Sequence, residues 1–137
     1  MADTIRLVDY FYIEAPDKPG EGARILDRLK EAGVNLLAFS GFPRARRAQL
    51  DFIPADPVAF KAAAKQAKWK AVGPKKGFLI DCEDRVGALL DWLGKLAAEK
   101  INVTAVDAVC TGGGRYGAIL WVKGRDVKRA AKILGAV

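Results

Sequence analysis

The chain has 137 residues, of which 51% are hydrophobic and 28% charged, and its formal net charge is +7. This balance is typical of a globular protein and excludes an intrinsically disordered one, and no apolar run approaches the roughly 18 residues that a membrane-spanning helix needs. The N-terminus has no basic stretch followed by a hydrophobic segment, so we expect no signal peptide, no membrane partner and a cytoplasmic location.

The sequence contains no histidine and only two cysteines, Cys82 and Cys110. The lack of histidine removes Ser-His and Cys-His nucleophiles and most transition-metal sites. The two cysteines have neither metal-ligand spacing nor a disulfide framework around them, so we expect two buried free thiols. We therefore predict a protein that is not an enzyme and that needs neither a metal nor a cofactor.

The strongest signal in the sequence is an internal repeat with an offset of 67 residues (87 − 20). The segment 17–20, Asp-Lys-Pro-Gly, aligns with 84–87, Asp-Arg-Val-Gly, and each follows an apolar run and precedes a helical pattern. At the same offset and without a gap, 34–36 (Val-Asn-Leu) aligns with 101–103 (Ile-Asn-Val). A period of this length seen only twice indicates a duplicated supersecondary unit rather than a solenoid. The sequence thus predicts two domains, 1–73 and 74–137.

In chain order, the first copy predicts a strand, a helix, two strands, a helix and a short closing strand, at 7–14, 20–32, 35–42, 49–53, 57–68 and 69–72. The first helix is expected to stop at Gly33, and the second to start at Asp56-Pro57, a capping residue followed by proline in the first turn. Residues 73–76, Gly-Pro-Lys-Lys, are predicted to be a linker.

The second copy predicts the same order, at 77–82, 88–100, 102–110, 116–123 and 126–134. Little chain follows the last helix, so the final strand of this copy is expected to be either vestigial or supplied from elsewhere. The whole pattern predicts an α+β fold of two tandem ferredoxin-like βαββαβ units, with antiparallel sheets and the helices on one face.

With these motifs in place, the chain resembles a tandem pair of ACT domains, small regulatory modules that bind amino acids. The resemblance rests on segments 17–20 and 84–87 at the strand-to-helix turns and on 33–36 and 101–103 at the start of the second strands. It extends over nearly the whole chain, with no catalytic domain attached. It implies an allosteric regulatory protein that pairs its modules side by side, forms a homodimer and acts on an unidentified regulated protein.

The resemblance also implies where an amino acid binds, namely between the turn of one module and the second strand of another. One site would be formed by Ala15, Asp17, Pro19 and Gly20 with Asn102. The other would be formed by Cys82, Asp84, Val86 and Gly87 with Asn35. An asparagine amide suits such a ligand, because it offers both a donor for the carboxylate and an acceptor for the ammonium group. Val86 replaces the proline of the first turn and so removes its preset φ, which favours the first site over the second.

Simpler interpretations remain open for several of these residues. Asp17 and Asp84 are of the type that caps helices, which is the interpretation favoured by frequency, and Asn35 and Asn102 could satisfy local backbone groups. The glycine run 112–114 lies between two predicted strands, so it is expected to be a hairpin tip rather than a phosphate loop. The corresponding hairpin tip of the first copy, 43–47 (Pro-Arg-Ala-Arg-Arg), is basic, which fits either a solvated loop or contact with an anionic partner.

Two other functional classes are weighed against amino-acid binding. An RNA-recognition module of related topology would carry stacking aromatics on its third strand, but 115–121 lacks the central ring of that motif, so nucleic acid is not the expected partner. A small hydrolase would need a convergent set of acids and bases, and none can be assembled from these carboxylates.

Overall fold

The computed structural model describes residues 2–137 and shows an α+β protein with six strands and four helices. Strands 4–16 and 36–44 each pair antiparallel with strand 47–54, and strands 72–83 and 103–109 each pair antiparallel with strand 115–122. In chain order the elements are β1 (Thr4–Pro16), α1 (Glu21–Glu31), β2 (Leu36–Arg44), β3 (Arg47–Pro54), α2 (Pro57–Gln66), β4 (Val72–Glu83), α3 (Leu90–Ala98), β5 (Val103–Val109), β6 (Arg115–Val122), a 3₁₀ turn (Gly124–Asp126) and α4 (Val127–Leu134).

The chain divides into two compact units, and both boundaries fall within strands. The first unit is Asp9–Lys75, with the strand order β2-β3-β1-β4. The second unit is Lys76–Val137 together with the N-terminal residues up to Val8, and its strand order is β1-β4-β6-β5. The sequence-based division at 73/74 lies close to the second boundary, but it gave the first eight residues to the first domain.

The core of the first unit is built from alternate residues of its strands and one face of each helix. Phe11 of β1 stacks on Phe60 of α2 with 4.6 Å between ring centroids, and Phe52 of β3 lies 5.3 Å from Phe60. These three rings are fully buried, and α1 adds the buried Ile25 and Leu29 at the spacing of one helical turn. The predicted start of α2 is confirmed, because the Asp56 carboxylate accepts hydrogen bonds from two main-chain N–H groups of its first turn.

The core of the second unit includes a residue from the far end of the chain. Ile5 of β1 is buried with Phe78 and Ile80 of β4 and with Leu96 of α3. The main-chain N–H of Val137 donates to Ile5 O (3.0 Å), and the N–H of Leu7 donates to Val137 O (2.9 Å). Residues up to Val8 therefore belong to this compact unit, and Val137 pairs with them through these two main-chain hydrogen bonds.

The predicted linker and closing strand are wrong. Residues 73–76 lie inside β4, a continuous strand of 12 residues, whereas 69–71 are outside it. The glycine is needed for close packing rather than for flexibility, because a Cβ on Gly73 would lie 2.7 Å from the main-chain oxygen of Tyr10. Within residues 2–137, no helix is long and apolar enough to cross a membrane.

Candidate functional site

The first turn joins the end of β1 to the start of α1 and leaves its backbone open. Gly20 is the N-cap of α1, with φ of 90°, and no side chain caps the helix. Nothing lies within 4 Å of the position of a Cβ at Gly20, although its left-handed φ disfavours any other residue. Because the first N–H groups of a helix have no partner within it, this turn presents donors to an anionic group.

The prediction that Asp17 caps this helix is wrong. The cap position belongs to Gly20, and Asp17 is exposed and makes no hydrogen bond or ion pair with any other described residue. The carboxylate that does lie in the first turn of α1 is Glu21, which pairs with Arg24 at 2.7 Å and with Lys18 at 3.6 Å. The hydrogen bond from Arg24 lowers the pKa of Glu21, and the charges of Arg24 and Lys18 add to this effect.

The second turn has the same sequence motif but is tied to its surroundings. The Cys110 thiol donates to Oδ2 of Asp84 (3.1 Å), and the main-chain N–H of Asp84 donates to Gly114 O (3.0 Å). Arg85 pairs with Asp91 of α3 at 2.5 Å and with Asp3 at 3.4 Å. The glycine-rich run is thus the hairpin tip between β5 and β6 that was predicted, and it packs against this turn.

The helix after the second turn begins later than the repeat predicts. Alignment with α1 places its start at Ala88, but α3 begins at Leu90 and is capped by no side chain, so Asp84 is not a cap either. Gly87 has φ of 73°, as the repeat requires, and Val86 is fully exposed. Valine does not fix φ as Pro19 does, which accounts for the irregular start of α3.

Asn35 and Asn102 each follow a helix whose other end is the turn of the same unit. Asn35 follows α1, whose 11 residues span about 16 Å, and Asn102 follows α3. Both side chains are exposed, and neither amide has a hydrogen-bond partner among the described residues. The alternative in which these amides satisfy local backbone groups is therefore wrong.

An open groove of about 380 Å³ surrounds Asn35. Leu26 and Lys30 of α1 line it, together with Leu36 of β2. The sequence-based site residues did not include Leu26 and Lys30, which lie on α1 shortly before Asn35.

Two of the predicted site residues point into cores. Ala15 and Cys82 are buried, each within the hydrophobic cluster of its own unit, so only their main-chain groups could face a ligand. Burial raises the pKa of the Cys82 thiol, and the nearby charge of Asp3 acts in the same direction. Cys110 is only half-buried, so the prediction of two buried thiols is confirmed for Cys82 alone.

The features that suggested RNA binding have local roles. Phe11 and Trp121 are buried, so they cannot serve as a stacking platform. In the basic tip, Arg44 and Arg47 lie 3.9 and 4.0 Å from the Glu14 carboxylate, and Arg44 also donates to Gln49. In the part of the chain that the structure describes, no group of three or more His, Cys, Asp or Glu side chains could hold a metal ion.

Several solved structures share the fold of this chain. Protein BT0572 from Bacteroides thetaiotaomicron matches 96% of this chain and 88% of its own, with a TM-score of 0.82 at 20% identity. The ligand-free regulatory subunit of aspartate kinase from Thermus thermophilus matches 98% of this chain and 96% of its own, with a TM-score of 0.66 at 15% identity.

The E. coli aspartokinase III, solved in complex with lysine and aspartate, matches 98% of this chain but only 32% of its own, with a TM-score of 0.56 at 11% identity. At such identities the likeness is one of fold. No model of a protein family matches the chain, and no curated protein matches it in sequence.

Proposed function

We propose that this protein is a non-catalytic regulatory module that binds an amino acid. The observation that carries the proposal is the match in fold to an aspartate kinase regulatory subunit over nearly the whole length of both chains. The complex of a larger aspartokinase with lysine and aspartate supports an amino acid as the ligand class.

We propose that the two units are tandem βαββαβ repeats of the ferredoxin-like type. This proposal is supported by the repeated motifs at an offset of 67 (87 − 20) and by the positive φ of both Gly20 and Gly87. The first unit contains all six elements in order. In the second, residues before Val8 take the place of the last strand.

The ligand would be held between the turn of one module and the second-strand asparagine of another, within one chain or between two. The main-chain donors around Gly20 would bind the ligand carboxylate, and the exposed Asp17 carboxylate would bind its ammonium group. Asn102 would complete this first site beside Pro19 and the main chain of Ala15. The second site would use Asn35 with the main chain of Cys82 and with Asp84, Val86 and Gly87.

The first site is the better candidate because its polar groups are unengaged. Asp17 has no partner among the described residues, whereas Asp84 already accepts a hydrogen bond from Cys110. Binding at the second site would have to replace this bond and the Asp84–Gly114 main-chain bond.

Pairing with a second copy is supported by exposed apolar residues on two edge strands, β2 of the first unit and β5 of the second. β2 exposes Phe39 and Phe42, and β5 exposes Val106 and Val109. Edge strands with exposed apolar residues favour pairing with another strand. A ligand bound between paired modules would stabilise the paired state over a looser one, and this shift would be transmitted to a regulated protein.

Thermal unfolding in the presence of each of the twenty amino acids tests the proposal. At a hundred times its Kd, a ligand stabilises the protein by about 2.7 kcal/mol, which should raise the Tm by roughly 5 to 10 °C. A flat response to all twenty at millimolar concentration would refute amino-acid binding. Gly20→Val should abolish the shift, since valine disfavours the left-handed φ of 90° that the turn requires. Gly22→Val, at a position with equal space but an ordinary φ, is the matched control.

A further inference from the structure

The first unit contains a second cavity that shares no residue with the proposed amino-acid site. It has a volume of about 290 Å³ and lies between α2 and the segment that enters β4. Its walls include the buried rings of Phe11 and Phe60 and the half-buried indole of Trp69. Ligand cavities in proteins generally have roughly 300 to 1,000 Å³, so this one suits a small ligand.

The charge at the cavity is entirely positive. Lys61 and Lys65 of α2, one helical turn apart, line it, and no acidic residue does. Neither lysine side chain makes an ion pair or hydrogen bond with another described residue. Two exposed ammonium groups without a carboxylate partner, beside an apolar wall, are complementary to an anion that carries an apolar group.

The shape of the wall favours a flat ring over a flexible chain. Phe11 and Phe60 are at most 2% exposed and stack on each other behind the wall, so the aromatic surface open to a ligand is the half-buried indole of Trp69. Gly73 also lines the cavity, and it lies against the main chain of β1, where a Cβ would meet Tyr10 O and Phe11. Aromatic ligands gain from offset or edge-to-face contact with such rings.

We propose that this cavity binds a small aromatic carboxylate. The ring lies against the indole of Trp69, and the carboxylate accepts charge-assisted hydrogen bonds from Lys61 and Lys65. The ligand class differs from that of the proposed amino-acid site, because the cavity offers no acidic group for an ammonium ion.

Calorimetric titration of the full chain with benzoate tests the proposal, with benzyl alcohol and benzylamine as neutral and cationic probes. Benzoate should bind with a Kd on the order of 1 mM or below, and the other two should bind about tenfold more weakly or not at all. In ¹H–¹⁵N spectra, benzoate should shift the indole resonance of Trp69, which the Trp69→Phe variant identifies by its loss.

Two double variants separate a specific site from general attraction to a basic protein. Lys61→Gln/Lys65→Gln should weaken benzoate binding by about tenfold or more, whereas Lys70→Gln/Lys128→Gln, which removes the same charge elsewhere, should leave it unchanged. Equal weakening in both variants would overturn the proposal, as would equal affinity for benzyl alcohol. Absence of saturable benzoate binding up to about 10 mM would overturn it too.

Discussion

The thiol of Cys110 donates a hydrogen bond to the carboxylate of Asp84, with 3.1 Å between Sγ and Oδ2. At the equivalent place in the first unit, the carboxylate of Asp17 has no partner among the described residues. The repeat thus places an aspartate at both turns. Asp84 is held in a tertiary hydrogen bond, whereas the Asp17 carboxylate is available to a ligand. This difference is the reason to assign ligand binding to the first turn.

The difference between the two aspartates predicts unequal effects on stability. Asp84→Ala removes an acceptor from a tertiary hydrogen bond and should lower the free energy of unfolding by about 1 kcal/mol. Asp17→Ala removes an exposed side chain and should change it by about 0.5 kcal/mol or less. Urea unfolding measures both, and an equal loss in the two variants would contradict the assigned roles.

The two cysteines should differ in reactivity toward a thiol reagent such as Ellman's reagent. Cys110 is half-buried and should react within the native state, whereas Cys82 is fully buried with a raised pKa and should react only on unfolding. One thiol per chain should therefore react rapidly. Cys110→Ala should abolish this phase and Cys82→Ala should retain it; rapid modification of Cys82 would show that the second core is open.

The N-terminal strand should be part of the folded second unit. Ile5 is buried, so Ile5→Ala should lower the free energy of unfolding by about 2 to 5 kcal/mol. Arg6→Ala is the matched control. The side chain of Arg6, next to Ile5, is exposed, so its removal should change the free energy of unfolding little. If both variants unfold at the wild-type urea concentration, Ile5 does not belong to that core.

The ion pairs of Glu21 predict a pH-dependent contribution to stability. The pKa of Glu21 is lowered in the folded state, so its contribution is fully present above the ordinary value of 4.5 and is lost as pH falls through the folded-state pKa. Glu21→Gln should therefore have a lower Tm than the wild type at neutral pH, and the difference should shrink in acid. Asp27→Asn, on the same helix, is the control; a difference independent of pH would exclude this linkage.

The sequence predicts local structure correctly where a single turn or helix cap determines it. Asp56-Pro57 starts α2 as predicted, and both of the turns that the repeat aligns contain a glycine with positive φ, Gly20 and Gly87. Gly73-Pro74 was misread, because a glycine selected for close approach to β1 looks in sequence like a flexible linker.

Contacts between distant parts of the chain could not be read in this way. The burial of Ile5 with Phe78 and the pairing of Arg85 with Asp3 join residues more than 70 positions apart, and no local pattern signals them. The capping prediction failed for a related reason. Asp17 has the right residue type, but Gly20 holds the cap position, and Asp84 accepts a hydrogen bond from Cys110, which follows β5.

We propose that an amino acid binds at the first turn, in a site that Asn102 completes. This proposal is tested most directly by calorimetric titration of the wild type, Asn102→Ala and Asn35→Ala with the amino acid that gives the largest thermal shift. Asn102→Ala should weaken binding at least about tenfold, as loss of one or more hydrogen bonds to the ligand would, and Asn35→Ala should bind as the wild type does. Unchanged binding by Asn102→Ala, or loss confined to Asn35→Ala, would contradict it.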